Sequence, residues 1–547
     1  MKQVTLLYTL TNTRLVSAEL PVASSVPHND VFDGFVSYSI EFSSFPDFAG
    51  NKSHPNTYSA TLLENIGRIS GTKPYIRVGG NTQDYALYDA SLPFALNGTV
   101  DPARSPDYPT TITIGPSFFE SYNTWEHVKF SHGFNLGLGA NRSSGWQTLL
   151  DTVPLACKAL GDGKLYAWSY GNEPDLYSTS AQGPVRPPDW NESLYVFQWL
   201  NGTRTIKRLI EEHCPELATD DVYGYMAPDF GGTGNHLKAP ATWAAGLDDD
   251  KDIKLFSTHN YISGATSPGV TLQGTLMNHA VTKRSVDAHI KEYNAILAQS
   301  ASRDGVPPLI FGEANSLYNQ GRPGLSNTFG AALWGVDFNL YAASVGFKRV
   351  HMHMGTNYRY AAWQPISTSL ATIGTKAPYY GSITVAAALG NLRRSPATVV
   401  EIPLSNSSSS DLIPESAYAI YTSSTRLSRI ILINMRSYNT TVAGAGLVPL
   451  PSPPPPRGET EYALRLPAAT PGRALAVRRL LANGSDAITG VTFDGWSYNY
   501  ELARGRPVRL ANVTVGERVV VGEGGVVRVR VPDSSAALLD LEEEGDC

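Results

Sequence analysis

Tyr166–Tyr177 reads YAWSYGNEPDLY, an apolar run that stops at Gly171 and is followed at once by Asn172, Glu173 and Pro174. An apolar aromatic run without helical spacing reads as a buried strand, and the Gly-Asn-Glu-Pro that ends it reads as a turn. An acid at that point has two meanings. It is a solvated turn residue, or it is one half of a pair completed by a second acid at the end of another strand on the same face. The choice depends on what the other strands of the chain do.

Runs of the same kind recur through the first 355 or so residues: GFVSYSIEF (34–42), YIRVGG (75–80), FNLGLGAN (134–141), LYAWSYGNE (165–173), VYGYMAP (222–228), IKLFSTHNY (253–261), LIFGEAN (309–315) and FKRVHMHM (347–354). Helix-like stretches separate most of them. Strands alternating with helices imply βαβ units and a parallel sheet, and continuously apolar strands are covered on both faces. Eight such units make a (β/α)8 TIM barrel. The segment 84–129 is rich in Pro, Tyr and Ser and is expected as a long loop over the barrel mouth. Beyond a last helical stretch near Ser382–Asn391 the chain becomes a series of short Val/Ile-rich runs joined by turn residues, which predicts an antiparallel β-sandwich. The expected organisation is an N-terminal segment (1–27), a catalytic α/β barrel (28–390) and a C-terminal β-sandwich domain (391–547), with Pro451–Pro456 as a stiff loop inside the last.

Composition bounds the function. The 547 residues are 42% hydrophobic and 17% charged with a net charge of −6, so a folded protein is expected, without the basic footprint that nucleic acid or an anionic membrane requires. Nine Asn-x-Ser/Thr sequons, at Asn51, Asn97, Asn141, Asn191, Asn201, Asn406, Asn439, Asn483 and Asn512, favour a secreted, extracellular glycoprotein. The first twenty residues, with Lys2 and a Val-Ser-Ala at 16–18 that reads as a cleavage site, make a weak signal peptide, and a truncated or misassigned start fits them equally. Three cysteines fit neither a disulfide scaffold nor a zinc site. Cys157 and Cys214 fall in expected helices and are free to pair or not; Cys547 is left over.

In a parallel barrel every strand C-terminus emerges on one face, and that face carries the chemistry. The residues there are Glu41, Gly79-Gly80-Asn81, Asn141, Asn172-Glu173, Asp229, His259-Asn260-Tyr261, Glu313 with Asn315, and His351 with His353. Glu173 and Glu313 end strands four and seven, nearly across the mouth from each other. Two carboxyls facing one site suit glycoside hydrolysis: one protonates the leaving oxygen and the other attacks the anomeric carbon, which places the two about 5–5.5 Å apart when configuration is retained. Asn172 beside the acid is placed to hold the sugar 2-hydroxyl. Arg77 fits two readings, a cation beneath Glu313 that keeps it ionised or a structural ion pair. His259, His351 and His353 lack carboxylate partners at ligand spacing, so they are read as lining or packing residues, with no metal and no cofactor expected.

The words IRVGGNTQDY, GNEPD, STHNY and FGEANSLYNQGRPGLSNTFGAALW resemble glycoside hydrolase family 79, the β-glucuronidase and heparanase group, especially its microbial exo-acting members. The resemblance covers nearly the whole chain after about residue 30. It implies Glu173 as acid/base, Glu313 as nucleophile and Asn172 as the neighbouring amide. It implies Glu41 and Asn81 as sugar contacts, and Tyr261 as a tyrosine touching nucleophile and sugar. Tyr318 and backbone N–H groups near Gln320 and Gly321 would hold the substrate carboxylate, and Tyr360 matches another aromatic of the pocket; Tyr318 and Tyr360 also fit core or rim positions, and Arg322 is a rival for that carboxylate. The family adds a strand near the N-terminus to its β-domain, here Ala18–Val26. The implied activity is a retaining exo-β-glucuronidase acting as a monomer on a glucuronate-bearing glycan. The rival readings are an endo-acting, heparanase-like hydrolase and a non-catalytic carbohydrate-binding protein.

Overall fold

The structure, a computed structural model, describes residues 13–19, 29–180, 183–300, 305–405, 411–423, 426–452, 454, 456–466 and 469–541. Eight parallel strands close into a barrel: Val36–Glu41, Ile76–Gly79, Phe130–Phe134, Leu165–Tyr170, Tyr225–Phe230, Ile253–Gly264, Leu309–Tyr318 and Val350–Met354. Each pairs with the next in sequence, and the eighth pairs with the first. Helices follow strands one and three to eight, among them Ser143–Ala159, Glu192–His213, His279–Gln299, Phe329–Val345 and Ala377–Leu389. An apolar layer of Ala167, Met226, Leu255 and Ile310 fills the lower barrel, whereas the upper interior is polar.

Two expectations need correction. The third strand is Phe130–Phe134, not 134–141. Asn135 ends it, because its side-chain oxygen accepts from the N–H groups of Leu138 and Gly139 at 2.9 and 3.2 Å and turns the chain. Asn141 is therefore no strand end; it is exposed, with its amide on the Val185 carbonyl. The segment 84–129 is a folded unit rather than a loop. Its strands Ala86–Tyr88, Leu96–Thr99 and Thr111–Ile114 form a small sheet, followed by the 3-10 turn Pro116–Asn123.

The C-terminal region is a β-sandwich. One sheet is antiparallel and includes Ala397–Glu401, Glu415–Thr422, Arg426–Asn434, Ser535–Asp540 and Ala474–Leu481. The other is three-stranded and contains one parallel pair: Thr13–Glu19 runs alongside Glu459–Arg465, which pairs antiparallel with Val526–Pro532. The N-terminal strand thus joins this domain earlier than Ala18–Val26, overlapping it at Ala18 and Glu19; residues 20–28 lie outside the described residues. Val16 and Ala18, in the stretch read as a cleavage site, are buried in the sandwich core. Pro453 and Pro455 of the proline loop, Asn406 and Cys547 also lie outside the described residues.

The β-domain packs on the barrel over helices Phe329–Val345 and Ala377–Leu389, which are buried nearly all round. Helices apolar on every side need cover on every side. A buried ionic contact crosses this interface: His279 lies 2.9 Å from Asp337 and 3.0 Å from Glu401. Burial opposes its charge, but Asp337 and Glu401 outweigh that and raise its pKa to about 9.

Cys157 and Cys214 are joined in a disulfide, with Cα atoms 6.1 Å apart across a sequence separation of 57. It ties the helices after strands three and four, so the closed loop contains Glu173. Cys157→Ser should destabilise the fold by about 4 kcal/mol on the chain-entropy argument for a loop of this size. Thermal unfolding of the variant against the parent, both without reductant, checks this, and equal midpoints would contradict it.

Candidate active site

At the top of the barrel the strand ends surround one fully buried cation, Arg77, on strand two. Its Nη1 donates to Glu313 Oε2 at 2.8 Å and to Ser39 Oγ at 3.0 Å, and its Nη2 donates to Asn172 Oδ1 at 2.8 Å. Asp229, ending strand five, lies 3.8 Å from Nη2. A buried charge persists only where partners satisfy it. The two readings of Arg77 meet in the geometry: it lies against Glu313 at 2.8 Å and also pairs with Asp229, another acid of the barrel.

Glu313 also accepts a 2.6 Å hydrogen bond from Tyr261, and His353 Nδ1 lies 3.4 Å away. Burial pushes the Glu313 carboxyl pKa up, but His353, His259, Arg77 and the Tyr261 hydroxyl together hold it well below the usual carboxylate range. Glu173 follows strand four in a left-handed conformation (φ 50°), a strained state for a non-glycine residue of the kind that clusters at functional sites. Gly231 leaves room for its side chain: a Cβ there would sit 2.9 Å from the Glu173 carboxyl carbon. His259 Nδ1 lies 3.0 Å from Glu173 Oε1. Its Nε2 is 3.6 Å from Asp229, too far for a hydrogen bond but close enough for charge attraction. Burial opposes a charged imidazole, but Glu313, Asp229 and Glu173 together raise its pKa to about 9. Of the two roles expected, His259 thus takes the lining one, with a charge the sequence did not indicate, whereas His351 packs against the Phe311 carbonyl.

One carboxylate oxygen of Glu173 and one of Glu313 lie within 4.8 Å of each other, with His259 in the same cluster. Such a trio also has the spacing of a cation site. Arg77, already on Glu313, opposes a second cation there.

The neighbouring residues form a second tier. Asn172 donates from Nδ2 to Asn81 Oδ1 at 3.0 Å, and its backbone N–H donates to Asp84 at 2.9 Å. Asp84 also accepts from Tyr177 and from the N–H groups of Leu136 and Gly137; burial raises its pKa to about 6 despite these bonds. Glu41 accepts from the Thr82 N–H and hydroxyl and from the Tyr358 hydroxyl. Gly80, at φ 102°, leaves room for it, since a Cβ there would stand 2.6 Å from Glu41 Oε1. Tyr360 is buried, its hydroxyl 3.5 Å from that of Tyr261.

Tyr318 stands apart: it is 46% exposed at the rim, with its hydroxyl 3.3 Å from Ser267 Oγ. Arg322 is exposed. The backbone donor expected at Gly321 is already taken, because the turn after strand seven folds back and the Gly321 N–H donates to the Leu317 carbonyl at 3.1 Å. Asp84, Thr82, Tyr358, Asp107 and Arg359 were not singled out from sequence. Asp84 and Thr82 sit in the NTQDY word beside Asn81, which was the available signal; the Asp107–Arg359 pair, 252 residues apart, had none.

Fold and site together define a (β/α)8 glycosidase with two facing glutamates. The model of the glycosyl hydrolase family 79 C-terminal β-domain matches residues 417–538. A β-glucuronidase of Neurospora crassa is 66% identical, with 98% of each chain covered. One of Aspergillus niger is 52% identical over 96% of this chain and 95% of its own. Among solved structures, a 4-O-α-L-rhamnosyl-β-D-glucuronidase of Fusarium oxysporum 12S superposes with a TM-score of 0.72 at 25% identity, over 96% of this chain and all of that one. The chain belongs to glycoside hydrolase family 79.

Replacing Arg77 by Met removes a cation that helps keep Glu313 ionised. The acid limb of the activity–pH profile should then move to higher pH by roughly one unit or more, with turnover reduced. An acid limb that stays in place would show that Arg77 does not set the ionisation of Glu313.

Proposed function

We propose that the protein is a retaining exo-β-glucuronidase that releases terminal glucuronic acid, or its 4-O-methyl form, from glycans. The observation that carries the mechanism is the approach of the Glu173 and Glu313 carboxylates to within 4.8 Å, which matches the short separation of retaining enzymes and leaves no room for the water of inverting ones. Ionised Glu313 attacks the anomeric carbon as Glu173 passes its proton to the leaving glycosidic oxygen. Glu173, now a carboxylate, takes a proton from water; the water oxygen bonds to the anomeric carbon and the Glu313 ester breaks. Asn172 has a second N–H beyond the one given to Asn81 and offers it to the 2-hydroxyl. Glu41 and Asn81 hold other hydroxyls. Tyr360, Tyr318 and the Gln320 amide are the neutral donors assigned to the sugar carboxylate.

The β-glucuronidases of N. crassa and A. niger support the substrate class. The folded 84–129 unit supports exo action. Its Asp107 is bound to Arg359 after strand eight, which fixes the unit to the loop that carries Tyr358 and Tyr360. An endo-acting enzyme needs an open, basic cleft for its anionic chain, and the net charge of −6 argues against one. A purely binding role would not need both acids in attacking geometry.

p-Nitrophenyl β-glucuronide should be hydrolysed well and the β-glucoside poorly, with β-glucuronic acid as the first product by NMR. Glu313→Ala should lose all turnover. Glu173→Ala should regain activity in azide on substrates with good leaving groups. A first-formed α-anomer, or turnover that survives Glu313→Ala, would overturn the mechanism, and glucoside preference would overturn the substrate.

We also infer a secreted glycoprotein. The disulfide fits an oxidising compartment, and Asn97, Asn141, Asn191, Asn201, Asn439, Asn483 and Asn512 are exposed. Peptide-N-glycosidase treatment of protein recovered from its native host should lower its apparent mass; an unchanged mass would count against this reading.

A further inference from the structure

Arg359 is where three loops of the pocket meet. It stands between Tyr358, whose hydroxyl donates to Glu41 at 3.1 Å, and Tyr360, whose hydroxyl lies 3.5 Å from that of Tyr261. Its own side chain reaches Asp107 in the segment after strand two. Nη1 and Nη2 donate to the two Asp107 oxygens at 2.6 and 2.7 Å, the bidentate geometry that makes arginine–carboxylate pairs both strong and directional. Asp107 is buried. Two further bonds go to the loop after strand seven: Nε donates to the Gly321 carbonyl at 3.2 Å, and the Arg359 N–H donates to the Gln320 carbonyl at 2.8 Å.

That last loop needs holding. Asn319, Gln320 and Gly321 have φ of 61°, 59° and 75° in succession. Two of them are not glycine, so the turn carries backbone strain that its surroundings must offset. Arg359 binds consecutive carbonyls of this turn while it pairs with Asp107, so one residue fixes the strained turn to the insertion. Each guanidinium nitrogen is engaged within the protein, and Asp107 balances the charge. A buried lysine braces the same segment from behind: Lys376 donates to the Tyr358 carbonyl at 2.7 Å, and burial with the nearby Arg359 lowers its pKa to about 7.

We propose that Arg359 is a positioning residue for glycone recognition. It holds the Asn319–Gly321 turn, and with it Tyr358 and Tyr360, in the arrangement that receives the uronate, and it does so without touching the sugar. This rests on the glucuronidase reading above. Being neutralised, Arg359 does not serve as the counter-ion of the substrate carboxylate, which is left to neutral donors.

The test compares parent, Arg359→Ala, Asp107→Ala, the double variant and Arg359→Lys on p-nitrophenyl β-glucuronide and β-glucoside. Thermal unfolding serves as the folding control. KM for the glucuronide should rise about tenfold or more in each Ala variant, the scale of one charged hydrogen bond, with kcat changed much less and the glucuronide-over-glucoside preference falling in step. The double variant should be no worse than the poorer single, since both substitutions break one contact. Arg359→Lys keeps the charge but loses the fork and the Gly321 bond, so it should fall between parent and Ala; it decides the matter if the Ala variants do not fold. Unchanged KM and selectivity, losses confined to kcat, or additive losses in the double variant would overturn the proposal while leaving the glucuronidase reading intact. A parent that prefers the glucoside would bring down both.

Discussion

A guanidinium sealed at the top of the barrel, away from water, governs this site. Arg77 binds Glu313, Asn172 and Ser39 directly and has Asp229 close by. Removing a cation from water is costly, and only a dense set of partners offsets it. The same partners therefore hold each other in place. Glu313 is held from below by Arg77 and from the side by Tyr261, and Asn172 is held by Arg77, Asn81 and Asp84. Side chains from strands one, two, four, five and seven meet on one charge. The electrostatics of the two glutamates follow from this meeting: one carboxyl lies against the guanidinium, and the other shares a histidine with Asp229.

The scaffold makes such a meeting possible because a parallel barrel delivers every strand end to the same rim. Local backbone detail then aims the side chains. Glu173 and Asp229 both leave their strands in the left-handed region, and Gly80 and Gly231 clear the space that Glu41 and Glu173 occupy. The polar upper layer rests on a small apolar one, and helices Phe329–Val345 and Ala377–Leu389 are buried on the β-domain side.

Much of this was legible in the sequence, for a physical reason. Strands buried on both faces write long apolar runs, so seven of the eight barrel strands were found close to their observed places. The third was misplaced because FNLGLGAN is as apolar as a strand, while the Asn135 side-chain bonds that turn it into a loop leave only a single polar letter. Glu173 and Glu313 were visible because an acid at the end of an apolar run stands out. His259 was named but underrated, since its importance lies in contacts to Glu173 and Asp229 from other strands. Asp107 and Arg359 were invisible, because nothing local marks two charged loop residues as partners across 252 positions. Pairings set by tertiary closure alone write no pattern into either segment.

The strand Thr13–Glu19 gives the β-domain a different meaning. It lies parallel to Glu459–Arg465, so the first described segment of the chain completes a sheet whose other strands come after the whole barrel. On the ribosome that strand must wait, unpaired, until residues near 465 have emerged, and Val16 and Ala18 find their core only then. The barrel can close once Val350–Met354 reaches Val36–Glu41, but the sandwich closes only after the whole barrel has been made. Chain order, rather than an interface alone, makes them a single cooperative object, and a cut near residue 390 would leave the opening strand with no sheet to join.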